Sequence, residues 1–267
     1  MRIDSVQLVY YSPTGNSKMI IKEISKGINI QPIKTTDLTS PSFSTARTQD
    51  YHKELVIIGA PVYSGRLPIE AVKRIEKIEG NETLAVTVVT YGNRAYDDAL
   101  LELKNLVTEQ GFLPIAGAAF IGEHSFSSEE KPIAEGRPDI RDLRKARKFG
   151  ENIKGKLERI DDKGTISTID VPGNFTYKEI SEKASDVFPS TEDEECTKCG
   201  RCADVCPTNA ITIDTTVITE PSLCTLCSAC VKVCPVNART WKHPRIMKAI
   251  NWLNSNCQER KEPETYL

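Results

Sequence analysis

A chain of 267 residues, 39% hydrophobic and 27% charged, has the make-up of a folded protein with room for more than one domain. Its formal charge of −2 gives no bulk attraction to nucleic acid or to an anionic membrane. No apolar run approaches the ~18 residues of a membrane span, and no secretory leader opens the chain, so it is read as cytoplasmic.

The first 160 residues alternate between strand and helix patterns. Ser5–Tyr11 opens with an apolar, β-branched run, the pattern of a strand buried on both faces, and a helix follows over Ser17–Ile28 with Ile20, Ile24 and Ile28 on one stripe. A weaker strand is expected near Ile28–Lys34, then a strand at Leu55–Gly59 and a helix over Pro68–Ile78 that opens on its proline. Leu84–Thr90 and Pro114–Ile121 are further strands, separated by a helix over Ala95–Gln110 that Gly111 stops. A last helix spans Asp139–Ile160, with Ile140, Leu143 and Leu157 as its apolar positions and a basic, solvated face over Arg141–Lys148. Gly150-x4-Gly155-Lys156 mimics a nucleotide loop but lacks its Ser/Thr and its preceding strand. The order predicts an α/β fold: a doubly wound, five-stranded parallel sheet with ligands at the strands' carboxyl ends. Residues 161–190 read as a linker packing on this 1–160 domain, 191–243 as a small second domain, and 244–267 as a terminal helix and tail. In that helix Ile246, Ile250 and Leu253 share a face, and Met247 and Trp252 are expected in the core.

All nine cysteines lie beyond residue 195. Cys196-x2-Cys199-x2-Cys202-x3-Cys206-Pro207 recurs, 28 residues on, as Cys224-x2-Cys227-x2-Cys230-x3-Cys234-Pro235. Zinc sites usually take their ligands as two pairs; three closely spaced cysteines and then a fourth before proline is the spacing of [4Fe–4S] clusters. In the two-cluster arrangement each triplet borrows its fourth ligand from the other run. One cluster is thus assigned to Cys196, Cys199, Cys202 and Cys234, and the other to Cys224, Cys227, Cys230 and Cys206. Cys257, outside the repeat, reads as a plain thiol. Residues 192–243 resemble the bacterial two-cluster ferredoxins, with all eight ligands and both prolines present, which implies a small α+β domain that its clusters help to fold.

After the first strand, Ser12-Pro13-Thr14-Gly15-Asn16-Ser17 opens a helix with hydroxyls, a glycine and free N–H groups, a place for a phosphate. Pro61-Val62-Tyr63-Ser64-Gly65 and Thr90-Tyr91-Gly92-Asn93, with Tyr96 beyond, end the third and fourth strands on the same edge. Their rings suit a planar ligand. These residues resemble the flavodoxin family over 1–160. The resemblance implies FMN, with its phosphate in the Ser12–Ser17 loop, its ring at the other two loops, and Tyr63 and Tyr96 favoured to stack on it. His124, in Gly122-Glu123-His124-Ser125 after the fifth strand, reads as a surface-loop histidine, with donation to a flavin or substrate as the alternative.

Together the halves resemble the flavodoxin–ferredoxin fusion proteins of anaerobic bacteria and archaea. That implies an electron carrier passing electrons between FMN and two [4Fe–4S] clusters, with donor and acceptor redox proteins as partners. Glu192–Glu195 is then a solvated acidic run or a docking patch. The alternative is an FMN-dependent oxidoreductase whose clusters wire electrons to a bound small molecule, with Arg94, Glu123 and His124 as its only further polar candidates.

Overall fold

A computed structural model describes residues 3–45, 51, 54–162, 164, 166–180 and 186–267. Within the linker expectation, residues 163, 165 and 181–185 lie outside the described residues.

The chain begins with β1 (Ser5–Tyr10), α1 (Asn16–Ile28) and β2 (Ile33–Asp37). Asn29, at φ +55°, ends α1, so the weak second strand starts later than its sequence pattern suggests. Next come β3 (Glu54–Pro61), α2 (Ile69–Ile75), β4 (Thr83–Tyr91), α3 (Ala99–Glu109), β5 (Phe112–Ile121) and α4 (Ile140–Leu157). The second part holds β6 (Ser190–Thr191), α5 (Arg201–Asp204), β7 (Ile211–Ile213), β8 (Val217–Thr219), α6 (Ala229–Lys232) and β9 (Arg239–Thr240). It closes with α7 (Pro244–Asn256) and β10 (Glu264–Tyr266).

The main sheet runs β2-β1-β3-β4-β5, all parallel, with β10 added antiparallel on the outer edge of β5. This is the flavodoxin-like α/β order. Its strand order reverses between β1 and β3, which opens a crevice at the carboxyl ends. The sheet therefore has six strands rather than the five expected: a three-residue strand of sequence Glu-Thr-Tyr carries no readable periodicity.

Two apolar layers cover the sheet. On one face α1 and α4 bury Ile20, Ile24, Ile28, Ala146, Phe149 and Ile153 against β1, β3, β4 and β5. The two helices meet backbone to backbone: a Cβ on Gly150 would stand 2.1 Å from the Ile24 carbonyl oxygen. The mock nucleotide loop is thus a helix contact that only glycine fits. On the other face α2 and α3 pack with Ile169 and Val171 of the linker. The linker is pinned further on: the Asp98 carboxylate accepts the backbone N–H groups of Asn174 at 2.8 Å and Lys178 at 2.7 Å. Asp139 caps α4 by accepting from Arg141 and Asp142, while Asp142 accepts from Asp139 in return.

Two apolar expectations fail. Ile140 is 61% and Trp252 53% exposed, because α4 and α7 turn other stripes inward. In α7 that stripe is Ile246, Ile250 and Leu253, and Met247 packs half-buried beside it.

The cysteine-rich part is bound to the sheet domain at several points. Arg74, buried on α2, donates to the carbonyls of Leu38, Thr39 and Ser40 and, across the junction, to that of Pro207. Phe126 meets Trp241 edge to face at 5.3 Å, and Lys232 donates to Glu123 Oε1 at 2.6 Å. Leu253 and buried Cys257 then pack on Ile133 before the tail reaches β5.

Candidate cofactor cleft and cluster sites

A cleft of about 400 Å³ lies over the carboxyl ends of β1, β3, β4 and β5. Gly15, at φ +88°, turns the chain into α1. Ser12 holds this loop, donating its N–H to Thr39 Oγ1 at 2.7 Å and accepting the Lys18 N–H on its hydroxyl at 3.2 Å. The Ser17 and Thr90 hydroxyls share a buried 2.5 Å bond, and Asn16 Nδ2 donates to the Glu123 carbonyl at 3.0 Å. These side chains lock the loop to β4 and β5. The backbone N–H groups of Thr14, Asn16 and Ser17 have no protein partner among the described residues. Three unpaired donors at the start of a 13-residue helix fit a phosphate group.

Tyr63 enters the cleft from a two-residue turn. Tyr63 and Arg66 exchange backbone hydrogen bonds around Ser64 (φ +55°) and Gly65 (φ +88°), the geometry of a tight hairpin. Gly65 is required here, since a Cβ would stand 2.1 Å from Asp97 Oδ2. The cleft lining includes Ser12, Thr14, Asn16, Ser17, Pro61, Val62, Tyr63, Thr90, Tyr91 and Gly92, all expected from the sequence. Gly15, Ser64 and Gly65 shape the loops without lining it.

Asn93 and Tyr96 lie elsewhere. Asn93 Nδ2 donates to the carbonyls of Cys257 and Glu259, both at 2.8 Å, and its Oδ1 accepts the Lys261 N–H at 3.3 Å. Tyr96 gives its hydroxyl to Glu264 at 2.8 Å and lies 3.0 Å from the Tyr266 hydroxyl. Both serve the C-terminal tail, whose return to the sheet the sequence pattern did not reveal. Arg94 likewise pairs with Asp97 and accepts from Lys261 on its carbonyl.

His124 lines the cleft and is not a free surface residue. Its ring lies against Gly92, where a Cβ would come within 2.2 Å of His124 Cδ2. Nδ1 accepts the Phe126 N–H at 3.0 Å, which leaves the proton on Nε2. Burial, helped by the charges of Lys232 and Arg94, pushes the imidazole down to about 4, so at neutral pH it is an uncharged donor. Its position followed from the fifth strand end; its surroundings, the Phe126 ring at 5.2 Å and the charge of the distant Lys232, did not.

The cysteines form two sets. Cys196, Cys199, Cys202 and Cys234 border one cavity of about 310 Å³, together with Arg239. In the other set, burial and the neighbouring Cys230 and Cys206 thiols push Cys227 up to about 12. Backbone donors face the sulfurs: the Ala210 N–H reaches Cys206 Sγ at 3.2 Å, and the Arg201 N–H lowers the Cys199 thiol. Among the described residues no group of three or more His, Cys, Asp or Glu side chains is arranged to hold a single metal ion. Four thiols around a cavity, with N–H groups aimed at sulfur, fit an iron–sulfur cube.

The two sites also sense each other's charge. Tyr63 lines the cleft, and its phenol is raised well above 10 by burial and by the nearby Cys227, Tyr11 and Cys224. Tyr11, next to Ser12, is buried, and its phenol is pushed up by that burial and by the nearby Cys227, with the Thr225 hydroxyl opposing the rise.

These features define a two-part protein, a flavodoxin-like α/β domain joined to a cysteine-rich iron–sulfur segment. The family described as 4Fe-4S dicluster domain matches residues 195–238. Among solved structures, the chain is similar to a flavodoxin from the domain Archaea, at 15% identity over 58% of this chain and 99% of that one, TM-score 0.37. A Streptococcus pneumonia flavodoxin is 14% identical over 57% of this chain and 99% of its own, TM-score 0.39. Rubredoxin oxygen:oxidoreductase from Desulfovibrio gigas is 11% identical over 59% of this chain and 37% of its own, TM-score 0.40. No curated protein matches the chain. Among the described residues no helix is long and apolar enough to cross a membrane.

Proposed function

We propose that this protein is an electron carrier that holds FMN in the cleft and two [4Fe–4S] clusters on the eight repeat cysteines, and passes electrons among them and to partner redox proteins. The observation that carries the reading is Tyr63, which lines the cleft and whose phenol is within electrostatic reach of the Cys227 and Cys224 thiols. FMN accepts one or two electrons, whereas each cluster exchanges one, so a chain carrying both can split or pair electrons.

This chain's residues supply binding, orientation and contact. Thr14, Asn16 and Ser17 offer N–H groups to the phosphate; Tyr63 and Tyr91 offer rings; His124 offers a neutral Nε2–H donor. Cys199 is exposed, so its cluster is the one a partner protein can approach. Asp193, Glu194 and Glu195 are exposed just before that loop and suit a basic partner face.

Anaerobically purified protein should hold about eight iron atoms and eight acid-labile sulfides per chain and release FMN on denaturation. Protein offered iron, sulfide and FMN under reducing conditions that takes up neither cluster nor flavin would defeat the reading. Saturable, His124-dependent turnover of a small molecule, with no exchange toward protein partners, would turn it into an enzyme.

A further inference from the structure

The 28-residue repeat pairs Ile211 with Arg239. Both are buried, at 7% and 3% exposure, so an apolar position in one half is occupied by a cation in the other. Among the described residues no Asp or Glu lies within ion-pair distance of Arg239. Its Nη1 donates to Thr191 Oγ1 at 2.7 Å, and its Nη2 to Thr219 Oγ1 at 3.0 Å and to Cys230 Sγ at 3.7 Å. Nε–H is buried with no partner. The same side chain borders the cavity of Cys196, Cys199, Cys202 and Cys234. One guanidinium thus touches a thiol of one set and faces the cavity of the other.

A buried cation without a counter-ion is costly, and so is a buried N–H without an acceptor. Packing does not require either here, because isoleucine fills the matching position of the other half. What the surroundings of Arg239 offer is sulfur. Four thiolates around a [4Fe–4S] core carry net negative charge, which grows by one when the cluster takes an electron. A fixed cation beside them therefore favours the reduced form. Burial keeps solvent ions from screening it.

We propose that Arg239 is the shared counter-charge of the two clusters, raising the reduction potential of both: one through its N–H donated to Cys230, the other through its field at the Cys196 cavity. The inference rests on the carrier reading, since it needs clusters on the eight cysteines.

The test is a redox titration of the holoprotein, followed by electron paramagnetic resonance, with iron and sulfide analysis of every sample. In Arg239→Ile, the residue of the matching position, the reduced-to-oxidised ratio at a fixed potential should fall about tenfold at both clusters, or about 59 mV for a one-electron couple. Arg239→Gln, which keeps length and amide donors but no charge, should lose most of that ratio. Arg239→Lys should stay closer to the unsubstituted protein than Arg239→Gln does. If Arg239→Ile fails to retain iron, the Gln and Lys variants decide. Full cluster content with unchanged potentials in Arg239→Gln overturns the proposal, and so does an equal fall in Arg239→Gln and Arg239→Lys. Iron analysis separates the two levels: an unsubstituted protein that holds no clusters defeats the carrier reading itself.

Discussion

Cys199 is exposed, whereas Cys227, its counterpart 28 residues on, is buried. The same contrast runs along both loops: Thr197, Lys198 and Arg201 face solvent, while Leu226 is half-buried and Ala229 buried. Two copies of one sequence pattern have become an outer and an inner site, the second loop buried where the first faces solvent. The arrangement depends on contacts far from the cysteines. Arg74 holds the Pro207 carbonyl from α2, Lys232 holds Glu123, and the tail returns through Asn93 and Tyr96 to β5.

The most severe way to break the comparison is Cys206→Ser. Cys206 belongs by sequence to the outer loop but stands with Cys227 and Cys230. Its replacement should cost the inner cluster, about four of eight iron atoms, and leave the outer cluster's resonance unchanged. Loss of the outer signal instead would undo the crossed pairing.

A smaller effect is expected at the cleft. Gly92→Ala puts a methyl group into the His124 ring, so ring or strand end must shift. FMN affinity should fall about tenfold, near 1.4 kcal/mol, with cluster content intact. Unchanged affinity in a fluorescence titration would place the flavin away from His124.

The smallest effect sharpens the electrostatics. The His124 midpoint is held near 4, below the ~6.5 of an unfolded histidine. Between those values the unfolded chain binds the proton and the folded chain does not, so this residue's contribution to stability falls as pH falls through that window. Nuclear magnetic resonance of labelled His124 should show the low midpoint. An ordinary midpoint would mean an open, solvated ring.

Much of this was legible because the signals are local. Apolar runs such as Leu84–Thr90 can only be strands buried on both faces, and the cysteine repeat fixes its own spacing. The cleft lining was readable from strand ends, since a parallel sheet brings its carboxyl ends together. Tyr96 and Asn93 misled because they sit on the right edge but are claimed by a tail too short to show a period. His124 differs from its surface-loop expectation because its ring packs on Gly92, a strand end distant in sequence. The contrast between Ile211 and Arg239 was present in the repeat, but its meaning required knowing that both positions are buried.

The central claim is that the cleft and the inner cysteine site form one electron path within a single molecule. Its most direct measurement is flash photoreduction of the holoprotein, following the flavin and cluster absorbance as the protein is diluted. The expected result is a flavin-reduction rate, after the clusters are reduced, that does not change with protein concentration and is slowed by Tyr63→Leu. A rate that falls in proportion to dilution would mean that the two halves exchange electrons only between molecules, and would contradict the claim.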